Sequence, residues 1–549
     1  MLGGEIVKGH SFHIMWQQNS VPLRGSLGFS ALVAALPILV MLFLLGVKRT
    51  PAWVAALAGL GAASVVARFV YGLPVRTMLA AMSYGAAFGL FPIAWILFWA
   101  IMLYRLAVET GHFEILKDSI GGLTQDRRLQ ALLIAFGFGA FLEGAAGFGA
   151  PVAVAAAMLT GLGFSRFYAA GICLLANTAP VAFGSIGIPV ITLAGVTGLP
   201  VRDLSSWVGR ICAPVSVFIP SYLILVMGGL PALKGVLPAA LLCGIAFAGV
   251  QFLVSNFLGP QLTDILSSLA AIGSLIVLLK LWQPKDKFTL PNELGLDRPT
   301  RHSAKQVFMA WLPYLLLVLF VFLWGLEAVK EPLDRLTMKF NWPGLQSTAP
   351  SIPPVTPASS NSGVVFKLNF MTAAGTACML AMLLGSLCLR ATPRQFRRIT
   401  AISIQQLDFP VLTIASVLSL AFLMNYSGAT ATLGLAFAST GRAFPFFSAL
   451  LGWLGVFLVG SDTSSNALFG NLQAVTAVRL GLNPVLMAAA NSSGGVMGKM
   501  ISLSSIAVAA AATGLPPSDE AKLFRFTLKH SVILTTVIGV LVALYAWLG

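Results

Sequence analysis

Charged residues are scarce in this chain of 549 residues, since Asp, Glu, Lys and Arg make up only 9% of it, whereas a typical soluble domain has roughly 25%. Hydrophobic residues account for 57% of the chain, and the mean hydropathy is +0.89. A water-soluble core cannot bury this much apolar surface. Because the strand alternation of membrane barrels is also missing, helices are the expected spanning elements. The sequence therefore predicts an all-α polytopic membrane protein.

The motifs of common enzymes are missing as well. The five cysteines have neither paired nor metal-ligand spacing, and the five histidines are scattered over the terminus and loops. There is no HExxH or GxSxG motif and no nucleotide-binding loop. We therefore expect no enzymatic activity, no metal site and no cofactor. The net charge of +16 does not indicate nucleic-acid binding, because Lys and Arg lie mostly in short loops between apolar runs.

Apolar runs of roughly 20 residues, each long enough to cross a bilayer as a helix, recur along most of the chain. Two longer apolar stretches, about 130–162 and 444–480, are interrupted by glycine, small polar residues and an acid. Each is predicted to be a re-entrant helical hairpin that enters and leaves the membrane on one side. We predict about 12 crossings besides, near 27–47, 51–72, 77–104, 166–199, 207–228, 231–256, 262–281, 308–328, 369–389, 410–437, 484–513 and 529–548.

Basic loops test this topology, because such loops favour the cytoplasmic side. With both termini outside and both hairpins non-crossing, the five main basic loops fall inside, whereas Arg76 and Arg202 are exceptions. The predicted divisions are an N-terminal segment (1–26), a first repeat (27–228), two linking crossings with a basic cytoplasmic loop (229–307) and a second repeat (308–549).

The two repeats have the same order of motifs. Glu143 lies in the first hairpin and Asp462 in the second, and an Ala-Asn pair follows each acid. The separation from acid to Asn is 34 residues (177 − 143) in the first repeat and 29 residues (491 − 462) in the second. Since the hairpins fall on opposite sides of the membrane, the halves are predicted to be inverted repeats, which are typical of secondary transporters.

Glu143 and Asp462 are each the single acid of a hairpin region. A carboxylate at membrane depth costs about 3 kcal/mol on insertion scales, so it needs a partner, water or a proton. The functional hypothesis is that both acids carry protons. The alternative is that each one caps a half-helix or pairs with a cation.

Polar residues near the predicted helix breaks are the candidate substrate ligands. Lys499, whose counterpart in the first repeat is Ser185, has two possible partners, a substrate carboxylate or Asp462. The predicted breaks at 177–180 and 491–495 leave backbone N–H groups free for an anion, although glycines there equally permit close helix packing. The predicted ligands are Asn177, Thr178, Ser185, Ser464, Ser465, Asn466, Asn491, Ser492, Ser493 and Lys499.

Four long motifs resemble the lactate permease family of bacterial secondary transporters, and the resemblance extends over nearly the whole chain. They are LEGAAGFGAPVA (142–153), LANTAPVAFGSIGIPV (175–190), GSDTSSNALFGNLQ (460–473) and NSSGGVMGKMISLSSIAVA (491–509). The resemblance implies import of L-lactate, D-lactate and glycolate with protons, by an integral protein of the bacterial inner membrane that contacts lipid. Another small carboxylate, sodium coupling and a channel remain alternatives, and the sequence does not predict the oligomeric state.

Overall fold

The computed structural model describes residues 19–23, 25–147, 149–286, 288, 300–345 and 364–548, so most of the predicted N-terminal segment (1–26) lies outside the described residues. Nearly all of the described chain is helical. Before the basic loop the helices are α1 (Leu27–Gly46), α2 (Ala52–Phe69), α3 (Val75–Phe88), α4 (Trp95–Glu109), α5 (His112–Gly121), α6 (Arg127–Gln130), α7 (Gly139–Ala145), α8 (Ala150–Gly161), α9 (Arg166–Ala176), α10 (Gly184–Thr197), α11 (Val201–Phe257) and α12 (Thr263–Leu281).

The helices after the basic loop are α13 (Ala304–Gly325), α14 (Glu327–Asp334), α15 (Ala374–Cys388), α16 (Pro393–Ser427), α17 (Ala429–Ala438), α18 (Phe444–Val459), α19 (Asp462–Arg479), α20 (Pro484–Lys499), α21 (Leu503–Thr513) and α22 (Pro517–Leu548). Two short antiparallel strands, β1 (Met338–Asn341) and β2 (Val365–Leu368), pair with Met338 opposite Leu368. The described residues also include two π-helical segments, Gly89–Ala94 and Ala131–Phe138, and two short 3-10 helices, Val181–Phe183 and Gly441–Ala443.

The number of long apolar helices agrees with the predicted fold class. Among the described residues, 11 helices are long and apolar enough to cross a membrane, or 12 when the bent pair α9 and α10 counts as one span. That count includes one arm of each predicted hairpin and treats α11 as a single helix. The chain is therefore an all-α polytopic membrane protein, as predicted.

Helix α11 contains the two predicted crossings 207–228 and 231–256. Its backbone leaves helical geometry at Gly228 and Gly229, and the two arms pack antiparallel, with the Ser205 hydroxyl donating to the Ser255 carbonyl at 2.8 Å. A methyl group on Gly244 would overlap the Val217 carbonyl oxygen, so the arms are in backbone contact. Helix α11 therefore consists of two antiparallel arms, one for each predicted crossing.

The predicted crossing at 410–437 differs from the structure in both of its bounds. Helix α16 begins at Pro393, where Thr392 and Gln395 form a capping box, and it ends at Ser427. Gly428 has a left-handed φ of 96°, which ends α16 and starts α17 in a new direction. The cap and the glycine fix these bounds, whereas hydropathy alone does not indicate them.

Both predicted hairpins are present as pairs of antiparallel helices. In the first, Gly139 on α7 lies against Ala155 on α8, and the Arg127 guanidinium donates to the Leu162 carbonyl at the open end. In the second, the Ser465 hydroxyl on α19 donates to the Gly452 carbonyl on α18 at 3.3 Å. That each hairpin is re-entrant stays a prediction.

A buried arginine anchors the base of the first hairpin. The side chain of Arg128 is 0% exposed and donates to Asp126 and to Asp286, the latter in the loop after α12. The Arg128 guanidinium holds the pKa of Asp286 below its usual range, because it stabilises the ionised carboxylate. The hairpin base is thus bound to the linking region of the chain.

Each hairpin is followed by an interrupted helix. In the first half the axis bends by 62° between α9 and the segment Val181–Thr197. In the second half the predicted break at 491–495 is wrong: α20 runs without interruption to Lys499, and the break lies at 500–502 before α21. Residues 491–495 stay helical, and their glycines allow close contact with α18. This agrees with the alternative given above, that glycines at these positions permit close helix packing.

The contact between α18 and α20 depends on glycine at three positions. A methyl group on Gly452 would overlap the Asn491 carbonyl oxygen, one on Gly494 the Ala449 carbonyl oxygen, and one on Gly498 the Trp453 carbonyl oxygen. The backbones are therefore as close as small residues permit.

We expect Gly452→Ala to destabilise the protein by about 1–3 kcal/mol, because the methyl group must push α18 and α20 apart. The matched control is Gly249→Ala on α11, where nothing lies within 4 Å of the added methyl group. Thermal unfolding of the purified protein in detergent measures both variants. A melting temperature of Gly452→Ala equal to that of the control would contradict the proposed packing.

Candidate functional site

The hairpins and interrupted helices of the two halves meet around one cavity. Helix α10 of the first half packs on α19 of the second, and α8 packs on α21. The cavity has a volume of about 700 Å³. The charged residues that line it are Glu143, Asp462 and Lys499, and its outer wall includes Trp53 stacked on Phe409 with ring centroids 5.5 Å apart.

Three helices direct their first turns at this cavity. Gly149 is the N-cap of α8, Ser461 is the N-cap of α19, and Ser504 and Ser505 lie in the first turn of α21. The first turn of a helix has unpaired backbone N–H groups and the positive end of the helix dipole. The cavity is therefore suited to an anion.

Lys499 is the last residue of α20 and is bound to the tip of the second hairpin. Its ammonium nitrogen donates to the carbonyl oxygen of Gly460, 2.6 Å away, and interacts electrostatically with Glu143 and Asp462. Ser185, its counterpart in the first repeat, donates to the Ala146 carbonyl oxygen at 3.0 Å. Each interrupted helix is thus bound to the hairpin tip of its own half.

Asp462 is the first residue of α19 and is 3% exposed. Its Oδ2 accepts hydrogen bonds from the Ser492 hydroxyl at 2.6 Å and from the Asn466 amide at 3.3 Å. Its Oδ1 has no partner among the described residues. These two donors fix the position of the carboxyl group, and one of its oxygens is left without a hydrogen bond.

The asparagines of the second half bind one another and the backbone. The Asn466 amide donates to the Pro189 carbonyl at 3.1 Å, and the Asn491 amide donates to the Asn466 side-chain oxygen at 2.9 Å. Gln473 donates to the Asn491 side-chain oxygen at 2.6 Å and also bonds with Ser448. This network joins α10, α18, α19 and α20, so these side chains have structural partners.

Glu143 lies at the end of α7, is 6% exposed and faces Gly184 and Gly147. Asn177 lies close enough to interact with this carboxyl group, but its side-chain nitrogen and oxygen have no hydrogen bond of normal geometry among the described residues. Ser185, on the cavity wall, has a left-handed φ of 47°, which is uncommon for a residue other than glycine. Glu143 therefore has fewer side-chain hydrogen-bond partners than Asp462.

Of the predicted site residues, the structure brings five together on the cavity wall: Glu143, Ser185, Asp462, Ser464 and Lys499. The others are buried behind the wall, namely Asn177, Thr178, Ser465, Asn466, Asn491, Ser492 and Ser493. Because α20 is continuous at 491–495, its backbone N–H groups there are not free for a substrate.

Asp264 was missed by the sequence-based search. It lies in the first turn of α12, is 1% exposed and interacts electrostatically with Glu143. The rule that singled out Glu143 applies to it as well, since it is an acid in an apolar segment. Its position at the start of a predicted crossing instead suggests a residue at the membrane surface. Only the packing of α12 on α7 shows that it is buried in the protein interior.

A helical membrane protein with paired hairpins, interrupted helices and an anion-suited cavity between them has the architecture of a secondary transporter. A sequence profile of the L-lactate permease family matches residues 30–549. The chain belongs to the L-lactate permease family and is an integral protein of the bacterial inner membrane.

Relatives match along nearly the full length. The L-lactate permease of Bacillus subtilis is 45% identical over 97% of this chain and 100% of its own length. The glycolate permease GlcA of Escherichia coli is 43% identical over 97% of this chain and 98% of its own length. Among solved structures, MtrF of Neisseria gonorrhoeae covers 92% of this chain and 97% of that chain with a TM-score of 0.48 and 13% identity, too distant to bear on fold or function.

We expect Asn466→Ala to lower the thermal stability, because it removes the hydrogen bond to the Pro189 carbonyl and leaves the Asn491 amide buried without a partner. Each loss costs about 1–3 kcal/mol. The control is Ser439→Ala, an exposed hydroxyl that bonds only its own helix turn. Melting temperatures of both variants in detergent test this, and an unchanged value for Asn466→Ala would contradict the structural role of the network.

Proposed function

We propose that this protein imports L-lactate, and also D-lactate and glycolate, by proton symport. The names of its relatives, L-lactate permease and glycolate permease, support the substrate class. The observation on which the proposal depends is the cavity that holds one lysine and two acids between two hairpin tips. The substrate crosses chemically unchanged, so no catalytic group is required.

The substrate carboxylate binds at Lys499 and at the first turns of α19 and α21. Ser464 and Ser505 contribute hydroxyl groups beside Lys499, and Ser185 faces them from the first half. The predicted ligands Asn177, Asn491, Ser492 and Ser493 are not part of this location, because their side chains lie behind the cavity wall. The remaining volume is bounded by the apolar wall at Trp53 and Phe409.

Charge balance supports coupling to protons. With both acids ionised, the three charged residues of the wall have a formal charge of −1, and a bound anion makes it −2. Uncompensated charge is costly where water is largely excluded. A proton on Glu143 or Asp462 offsets the charge of the anion, so each ligand favours the binding of the other. The two are therefore expected to cross together.

The two halves, 27–228 and 308–549, are proposed to be inverted repeats joined by the linking region 229–307. Their re-entrant hairpins meet at the cavity, which alternately opens to each side of the membrane. The residues that would carry the proton are Glu143 and Asp462.

We expect purified protein in proteoliposomes to accumulate labelled L-lactate when an inward proton gradient is imposed, and a protonophore to abolish the accumulation. Replacement of Na⁺ by choline is expected to have no effect, which distinguishes protons from sodium. Uptake that survives the protonophore but requires Na⁺ would contradict proton symport.

We expect Glu143→Gln and Asp462→Asn to lose accumulation against a gradient, because an amide cannot release a proton. Some exchange of external for internal lactate should persist, since it needs no net proton movement. Asp203→Asn, an exposed acid on α11, is the control and should behave as the wild type. Normal pH-driven accumulation in both cavity variants would contradict the assignment of these acids.

A further inference from the structure

A third buried acid lies behind the cavity. Both carboxylate oxygens of Asp264 lack a hydrogen-bond partner among the described residues, although the residue is 99% buried, with 1% exposure. Asp264 is not among the described residues that line the cavity. An ionised carboxylate with no partner is strongly unfavourable at such a position. A proton on Asp264, supplied from a neighbouring group, removes this cost.

The neighbouring group is the carboxyl of Glu143. Helix α7 packs on α12 so tightly that a methyl group on Gly144 would lie 2.8 Å from the Cβ of Asp264 and 3.0 Å from the backbone nitrogen of Ile265. The Glu143 and Asp264 carboxyl groups interact electrostatically. Glu143 lines the cavity and Asp264 does not, so Glu143 is the acid of this pair that is accessible from the cavity.

Other ionisable groups around Asp264 do not replace Glu143. On α11, the thiol of Cys212 lies within electrostatic range, while Arg202 and Arg210 donate to Phe257 and Asn256 on the exposed side of that helix. Helix α10 and the π-helical segment Ala131–Phe138, which also pack on α12, have no ionisable residue. On α12 itself, Lys280 lies in the last turn, far from Asp264 in the first.

Asn177 provides an independent observation at the same place. It caps the C-terminus of α9, is 4% exposed and lies beside Glu143, yet neither polar atom of its side chain has a hydrogen bond of normal geometry among the described residues. A side-chain amide both donates and accepts hydrogen bonds. Asn177 is therefore able to orient a protonated carboxyl group or a water molecule next to Glu143.

We propose that Glu143 and Asp264 form a two-carboxyl proton site in which Asp264 is the inner acceptor of the transported proton. The inference rests on the proposed proton symport. Glu143 takes a proton from the cavity; its O–H bond then breaks as the proton passes, directly or through a water molecule at Asn177, to a carboxylate oxygen of Asp264. A new O–H bond forms there, Asp264 becomes neutral, and Glu143 is left ionised to interact with Lys499. On release the transfer runs in reverse.

The test uses Asp264→Asn in the full-length protein in proteoliposomes, with lactate exchange and proton-driven accumulation measured on the same preparation. We expect exchange to persist and accumulation to fall at least tenfold, because the amide cannot accept a proton. The matched control is Ser268→Ala, one helical turn further on α12, whose buried hydroxyl bonds only the Ile265 carbonyl. It should retain both activities. Asp264→Glu, which keeps a carboxyl group, should regain part of the accumulation.

The outcomes separate this inference from the proposed function. Wild-type accumulation that is insensitive to a protonophore overturns proton symport itself and this inference with it. If the wild type is proton-coupled and Asp264→Asn accumulates lactate with the same pH dependence, the inner acceptor is overturned and the symport stands. Loss of exchange in both Asp264→Asn and Asp264→Glu assigns Asp264 to the fold or to substrate binding, which also overturns the inference.

Discussion

The attachment of each interrupted helix to the tip of the hairpin in its own half is the constraint on which the cavity depends. In the second half this attachment is the bond from the Lys499 ammonium to the Gly460 carbonyl, and in the first half it is the bond from Ser185 to Ala146. Equivalent positions thus make equivalent contacts, but only one of them is charged. The single cation of the wall therefore stands opposite acids from both halves, and its charge is shared between them.

The buried polar groups around the two cavity acids are paired in different ways. Around Asp462, the Asn466, Asn491 and Ser492 side chains form a hydrogen-bonded network, and such networks fix one arrangement of the helices. Around Glu143, the side chains of Asn177 and Asp264 are unpaired among the described residues. Buried polar groups without a hydrogen-bond partner destabilise the fold unless a ligand or a proton supplies the missing interaction. The groups around Asp462 are thus held mainly by one another, while Asn177 and Asp264 beside Glu143 are not.

Much of this arrangement is predictable from the sequence, since hydropathy gives the class and approximate crossings, and the matched motifs locate the two hairpins and their acids. What the sequence could not predict depends on packing between distant segments. Residues 491–495 look like a helix break because they combine Asn, Ser and Gly, but contact with α18 keeps them helical. For the same reason Asn466 resembles a substrate ligand and instead binds Pro189, 277 residues away in the chain. Composition cannot distinguish a polar group that faces a ligand from one that faces a neighbouring helix.

The size of the cavity bears on how such a site selects its substrate. A volume of about 700 Å³ is several times that of a three-carbon acid, so shape alone cannot specify so small a molecule. The charge of Lys499 and the helix N-termini are fixed in space and suit a carboxylate, whereas the wall at Trp53 and Phe409 is apolar and makes no directional bond. A site of this kind discriminates weakly between small carboxylates that differ by one methyl group, since a methyl contact contributes only about 1–3 kcal/mol to binding.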